Sequence, residues 1–103
     1  MNLIKIEPLM DFDRSTPLRC PGEVLLTDYL QPSAMPLARF ARRTGIPMTI
    51  LRQITRGTRR IDAEQALRLS IAMEPTPAYW LLLQAHYDLA IAGALLEGPW
   101  RGP

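Results

Sequence analysis

The stretch from Leu37 to Gly57, LARFARRTGIPMTILRQITRG, constrains the fold more than any other part of this 103-residue chain. A helix that runs into a glycine and then at once into a proline has to restart in a new direction, so Gly45-Ile46-Pro47 reads as a tight corner between two helices. Phe40 supplies bulk on the first helix, and Ala41 is small enough for the second to approach closely. Gly45, four residues on, can take the left-handed conformation that ends the first helix. Ile46 plugs the corner, and Pro47 suits a first turn, where its missing N–H costs nothing. The second helix is expected to start at about Pro47.

That second helix has two sides. Pro47, Ile50, Leu51 and Ile54 follow the three-and-four spacing of a buried stripe, while Thr49, Arg52, Gln53 and Arg56 fall opposite, with Met48 at the edge. Between Asp28 and Asp62 the chain has no acidic residue, yet Arg39, Arg42, Arg43, Arg52, Arg56, Arg59 and Arg60 all lie there. The other five cations face all ten carboxylates, so the remainder is net acidic and the modest total of +2 conceals a basic centre. A solvated face is the ordinary reading of a charge run. Seven arginines without one carboxylate repel one another unless a polyanion covers them, which favours nucleic acid.

A chain of this size supports one small domain, and 48% hydrophobic content is enough for a helical core. Cys20 is the single cysteine, so no internal disulfide forms; a reducing cytoplasm is the expected compartment, and the thiol is assigned no chemistry. The first residues, MNLIKIEPLMDFD, lack both the apolar core and the small-residue site of a secretory signal. No apolar run reaches membrane-spanning length. Catalysis is not expected: no nucleophile, base and orienting group come together, no glycine-rich phosphate loop is present, and the carboxylates lie outside the basic centre in sequence. No cofactor or metal is expected, and His86 has no second histidine or cysteine at ligand spacing; a surface or interface hydrogen-bonding role is the better reading of it.

In chain order, residues 1–18 read as an N-terminal extension, either disordered when free or contacting a protein partner, residues 19–97 as the helical DNA-binding and dimerisation domain and residues 98–103 as a tail. Pro8, Pro17 and the charges between Asp11 and Arg14 argue against a helix in the extension. Pro21, Gly22 and Glu23 open a first helix whose stripe is Leu25, Leu26, Tyr29 and Leu30, and Pro32 closes it. Pro36 is expected to start the next. After the corner helices, Gly57 with Thr58, Arg59 and Arg60 forms a basic turn. Asp62 and Gln65 make a capping-box pattern ahead of Ala66, Leu67, Leu69, Ile71 and Met73. Pro75 ends that helix, and Thr76-Pro77 launches the last one, AYWLLLQAHYDLAIAGALLEG. From Ala78 to Leu96 its clearly polar residues are Gln84, His86 and Asp88, so it is apolar on more than one side and must be covered somewhere. A homodimer interface through Tyr79, Trp80, Leu83 and Tyr87 is expected; the alternative is that these residues complete the chain's own core.

The segments PGEVLLTDYLQP, LARFARRTGIPMTILRQITRGTRRI and DAEQALRLSIAMEPTPAYWLLLQAHYDLAIA together resemble the HigA antitoxin family of XRE-type helix-turn-helix proteins. The likeness runs from Pro21 to Ala92, and the TPAYWLLLQAHYDL ending is its most specific part. It implies an all-α, five-helix, lambda-repressor-like domain that dimerises, binds a palindromic operator in its own promoter and neutralises a HigB-like toxin of the RelE type, a ribosome-dependent messenger ribonuclease. In the family the second helix commonly starts Leu-Ser-Gln, whereas Met35, Pro36 and Leu37 stand here. A capping hydroxyl and a phosphate-contacting amide are therefore missing, so either Arg39 and the other arginines substitute or operator affinity falls.

On these grounds Met48, Thr49, Arg52 and Gln53 are the candidates for base edges, with Gln53 matched to adenine and Arg52 to guanine. Ile50 is more suited to core packing than to a thymine methyl. Arg56, Thr58, Arg59 and Arg60 are the candidates for phosphates. The expected partners are operator DNA, the toxin and a second copy of the chain. Two other readings stay open: a stand-alone repressor, and an interaction module that has lost DNA binding.

Overall fold

The structure, a computed structural model, describes residues 18–97. The expected tail and all but the last residue of the extension, Leu18, lie outside the described residues. Among those residues there are five helices and no strand: α1, which runs Pro21–Val24 and continues through a wider turn at Leu25–Leu30, then α2 Leu37–Thr44, α3 Met48–Thr55, α4 Ala63–Ala72 and α5 Pro77–Glu97. Helix α1 packs on α3 and α5, α2 on α3 and α4, and α4 on α5. The buried stripes meet in a single core that includes Leu25, Phe40, Leu51, Ile54, Leu69 and Trp80.

The caps explain where the elements begin and end. Cys20 O accepts from Glu23 N and Val24 N at 3.0 and 3.2 Å, with Pro21 in the first turn. Gly45 has φ 76° and its N–H bonds Ala41 O at 2.8 Å, ending α2 as expected. The buried Thr44 hydroxyl donates to Phe40 O at 2.9 Å and accepts Ile46 N–H at 3.2 Å, which fixes the corner. Arg68 adds a cation there, with Nη1 3.4 Å from Thr44 O at the negative end of α2. Asp62 Oδ1 accepts Gln65 N–H at 2.9 Å, and Thr76 Oγ1 accepts Tyr79 N–H at 3.3 Å.

Several expectations need correction. Helices α2 and α3 each start one residue later than expected, with Pro36 and Pro47 in extended conformation as the residues before the first turn. The second half of α1 is π-helical, Gln31 N bonding Leu26 O at 2.9 Å. The widening puts Leu25 and Leu30, five residues apart, into the core together, which an ordinary helix does less well. The capping box is half formed, because Gln65 is buried with Oε1 unpartnered among the described residues. Leu67 and Ile71, expected in the α4 stripe, are 60% and 68% exposed. They lie four residues apart on one side, while Ala66 and Leu69 hold the core.

Trp80, expected at a dimer interface, is fully buried and joins the chain's own core. Its ring meets Tyr79 and Tyr29 edge-to-face at centroid distances of 5.1 and 5.5 Å, and the two tyrosine hydroxyls are 3.4 Å apart. Burial is the main cause that pushes the Tyr79 hydroxyl well above its ordinary pKa, and the Tyr29 hydrogen bond adds to it. Tyr79 and Leu83 are half-buried against the same core. The apolar surface that α5 does expose is Leu81, Leu89, Ile91, Leu95 and Leu96.

Candidate nucleic-acid interface

Helix α3 turns Leu51 and Ile54 into the core and Thr49, Arg52 and Gln53 into solvent, with Arg56 exposed at its end, but Pro47, expected in the buried stripe, is exposed because it precedes the first turn rather than lying in it. Met48 is half-buried at the edge, and Ile50 packs against the core rather than standing clear of it. The helix ends in a Schellman motif. Gly57 N bonds Ile54 O at 3.0 Å and Thr58 N bonds Gln53 O at 2.9 Å, with Gly57 at φ 80°. Thr58 Oγ1 donates to the same Gln53 carbonyl at 3.1 Å. This reversal carries Thr58 and Arg59 back beside Gln53 on the exposed side of α3. Arg59 Nε donates to Gln53 Oε1 at 2.8 Å, joining one candidate phosphate contact to one candidate base reader.

Six of the seven central arginines reach solvent without a carboxylate of the described residues beside them. Arg39, Arg42, Arg43, Arg52, Arg56 and Arg59 are exposed and have no carboxylate partner among the described residues. Arg60 departs from the pattern, because it ion-pairs with Asp88 of α5. The separation of charges along the sequence is therefore broken at one point in space. Sequence reasoning had no means of pairing residues so far apart in the chain.

Two further positions matter through contacts distant in sequence. Gly22 belongs to a helix start by sequence, yet a Cβ there would lie 1.6 Å from Ile54 O and 3.1 Å from Thr55 Cα. Only a glycine lets α1 lie against the end of α3. Gln84, a polar interruption of an apolar helix, is buried, and its Oε1 accepts Ile61 N–H at 2.8 Å. That bond ties the end of the basic turn to α5. Elsewhere, Arg19 donates to both carboxylate oxygens of Asp28 at 3.0 and 2.9 Å and holds that carboxyl below the usual range. Among the described residues there is no cluster of three or more potential metal ligands, and no helix is long and apolar enough to cross a membrane.

A corner of two short helices, the second presenting a polar cationic side and pinned at its far end by a glycine-tight neighbour, defines a helix-turn-helix protein. The chain superposes on an antitoxin HigA of Pseudomonas aeruginosa solved with the higBA promoter, with a TM-score of 0.74 and 28% identity over 84% of this chain and 98% of that one. It is similar also to an addiction module antidote protein of the HigA family from Coxiella burnetii, at TM-score 0.70 and 30% identity, covering 85% of this chain and all of the other. A helix-turn-helix transcriptional regulator of Haemophilus influenzae is 29% identical over 68 residues, 66% of this chain; the match spans 64% of that regulator's length. No family model matches the chain. The chain belongs to the HigA-type family of XRE-like helix-turn-helix proteins.

Proposed function

We propose that this chain is the antitoxin of a HigBA-like module, which represses its own operon as a dimer on palindromic DNA and neutralises a RelE-like ribonuclease. The observation that carries the DNA part is the exposed side of α3 together with the Gly57–Arg60 turn, a rigid cationic surface of two connected pieces. The solved likeness of the Pseudomonas HigA with its promoter supports it. Helix α3 enters the major groove with Met48, Thr49, Arg52 and Gln53 nearest the bases, while Arg56, Thr58 and Arg59 face phosphates and Arg60 does so only by exchanging the Asp88 carboxylate for one. Two copies related by a two-fold axis present their α3 helices about one DNA turn apart, roughly 34 Å, and so require inverted half-sites. The apolar side of α5, with Leu89, Leu95 and Leu96 exposed, is the surface the second copy covers. The net acidic remainder of the chain complements a basic ribonuclease and speeds its capture.

A graded pair of variants tests the docking. Gln53→Ala should cost on the order of 1–3 kcal/mol on the operator and relax one base position, measured by fluorescence anisotropy with single-base operator variants. Arg59→Ala should weaken every duplex and flatten the salt dependence, with a further loss on the operator because Arg59 also orients Gln53. Unchanged binding in both removes the model. A stand-alone repressor is the second reading, favoured by the Haemophilus relative's description as a transcriptional regulator. A small basic reading frame next to this one, whose product binds the chain, decides for the antitoxin.

A further inference from the structure

Of the seven arginines from Arg39 to Arg60, Arg60 is the one with a carboxylate partner among the described residues. The partner is held in place from behind. Asp88 Oδ2 accepts from Arg60 Nη1, Asp88 Oδ1 accepts from Gln84 Nε2 at 3.0 Å, and the buried Gln84 spends its own oxygen on Ile61 N–H. Both carboxylate oxygens are thus engaged, and a buried amide oriented by the backbone fixes one of them. Arg60 itself stays 67% exposed at the side chain, within reach of a duplex lying on the turn. A cleft of about 130 Å³, lined by Gly57, Thr58, Arg59, Arg60, Gln84 and Asp88 among others, opens between the turn and α5 and leaves the guanidinium room to change partners.

We infer that Asp88 is a positioning residue that sets the DNA affinity of the basic turn: it holds Arg60 as an internal stand-in for a phosphate, withdrawing one cation from the sequence-independent contact. This rests on the nucleic-acid reading above. Duplex binding by basic proteins depends on how many phosphates their cations neutralise, at a salt slope of about 0.9 per phosphate. An arginine already answered by a carboxylate has to exchange that anion for a phosphate and then leaves the carboxylate beside the DNA. Its contribution is reduced for every sequence equally, because phosphate contacts carry no base information. Base reading by Arg52 and Gln53 is untouched.

The test is anisotropy of the full chain with two labelled duplexes of equal length, its own upstream DNA and a scrambled sequence, across a series of potassium chloride concentrations. Asp88→Asn should tighten both duplexes by the same factor, roughly five- to tenfold at 0.1 M salt, and steepen the salt slope by about 0.9. Asp88→Ala should act in the same direction. In Arg60→Gln/Asp88→Asn the gain should vanish, and Glu74→Gln, which removes the same charge from an exposed residue with no arginine partner, should not reproduce it. Unchanged or weaker binding by Asp88→Asn overturns the inference, as does a gain that survives loss of Arg60 or appears equally in Glu74→Gln. Failure of the wild-type chain to bind either duplex at low salt overturns the nucleic-acid reading itself, and the inference with it.

Discussion

A methyl group at Gly22 would stand 1.6 Å from the Ile54 carbonyl oxygen, and that oxygen belongs to the backbone at the end of α3, so neither partner can move away cheaply. Gly22→Ala should therefore destabilise the fold at the upper end of overpacking costs, about 3 kcal/mol, read from urea unfolding. Gly93 is the counter-case: nothing lies within 4 Å of an added Cβ there, and the residue sits inside α5. Gly93→Ala should stabilise by about 0.5–1 kcal/mol in the same assay, because it removes backbone freedom from the unfolded chain and fills no space. If both substitutions are neutral, the close approach of α1 to α3 is not what holds the exposed helix in place. The glycine at the corner was legible from its neighbours Ile46 and Pro47; Gly22 was not, because what it touches lies some thirty residues further on.

At the scale of helices, the existence of α2 and α3, the glycine that ends α2 and the sides of α3 beyond its first residue are legible because caps and the 3.6-residue period are local signals, while the starts fall one residue later because Pro36 and Pro47 precede the first turn. The π-helical half of α1 is not legible, since the pull that widens it comes from the core claiming Leu25 and Leu30 together. Helix α5 shows the limit most clearly. Its sequence is apolar nearly all round, so periodicity could not say which residues face inward, and Trp80 was placed outward when it is fully buried. The two sides now predict different failures. Trp80→Ala should lower stability by about 3–5 kcal/mol in thermal or urea unfolding, as for other large aromatic truncations. Leu89→Asp, at a residue 65% exposed, should leave helical content by circular dichroism unchanged and shift sedimentation towards monomer. A wild-type chain that sediments as a monomer at high micromolar concentration contradicts the proposed role of this surface.

Over the whole molecule, the helices act as a frame that presents one polar, cationic side of α3 and one basic turn, with α1 locking the end of α3 through Gly22 and α5 tying the turn through Gln84 and Asp88. Most of the candidate site was readable because its residues are close in sequence. Its restraint by α5 was not, because the Arg60–Asp88 pair spans 28 residues. The same frame separates the contacts proposed for DNA from the exposed apolar length of α5 proposed for a second copy. The most direct measurement of this arrangement is a hydroxyl-radical footprint of the wild-type chain on the DNA upstream of its own reading frame. Two protected patches on one side of the duplex, centred about one helical turn apart, are predicted; uniform coating, or no protection at a concentration where the chain is dimeric, would contradict it.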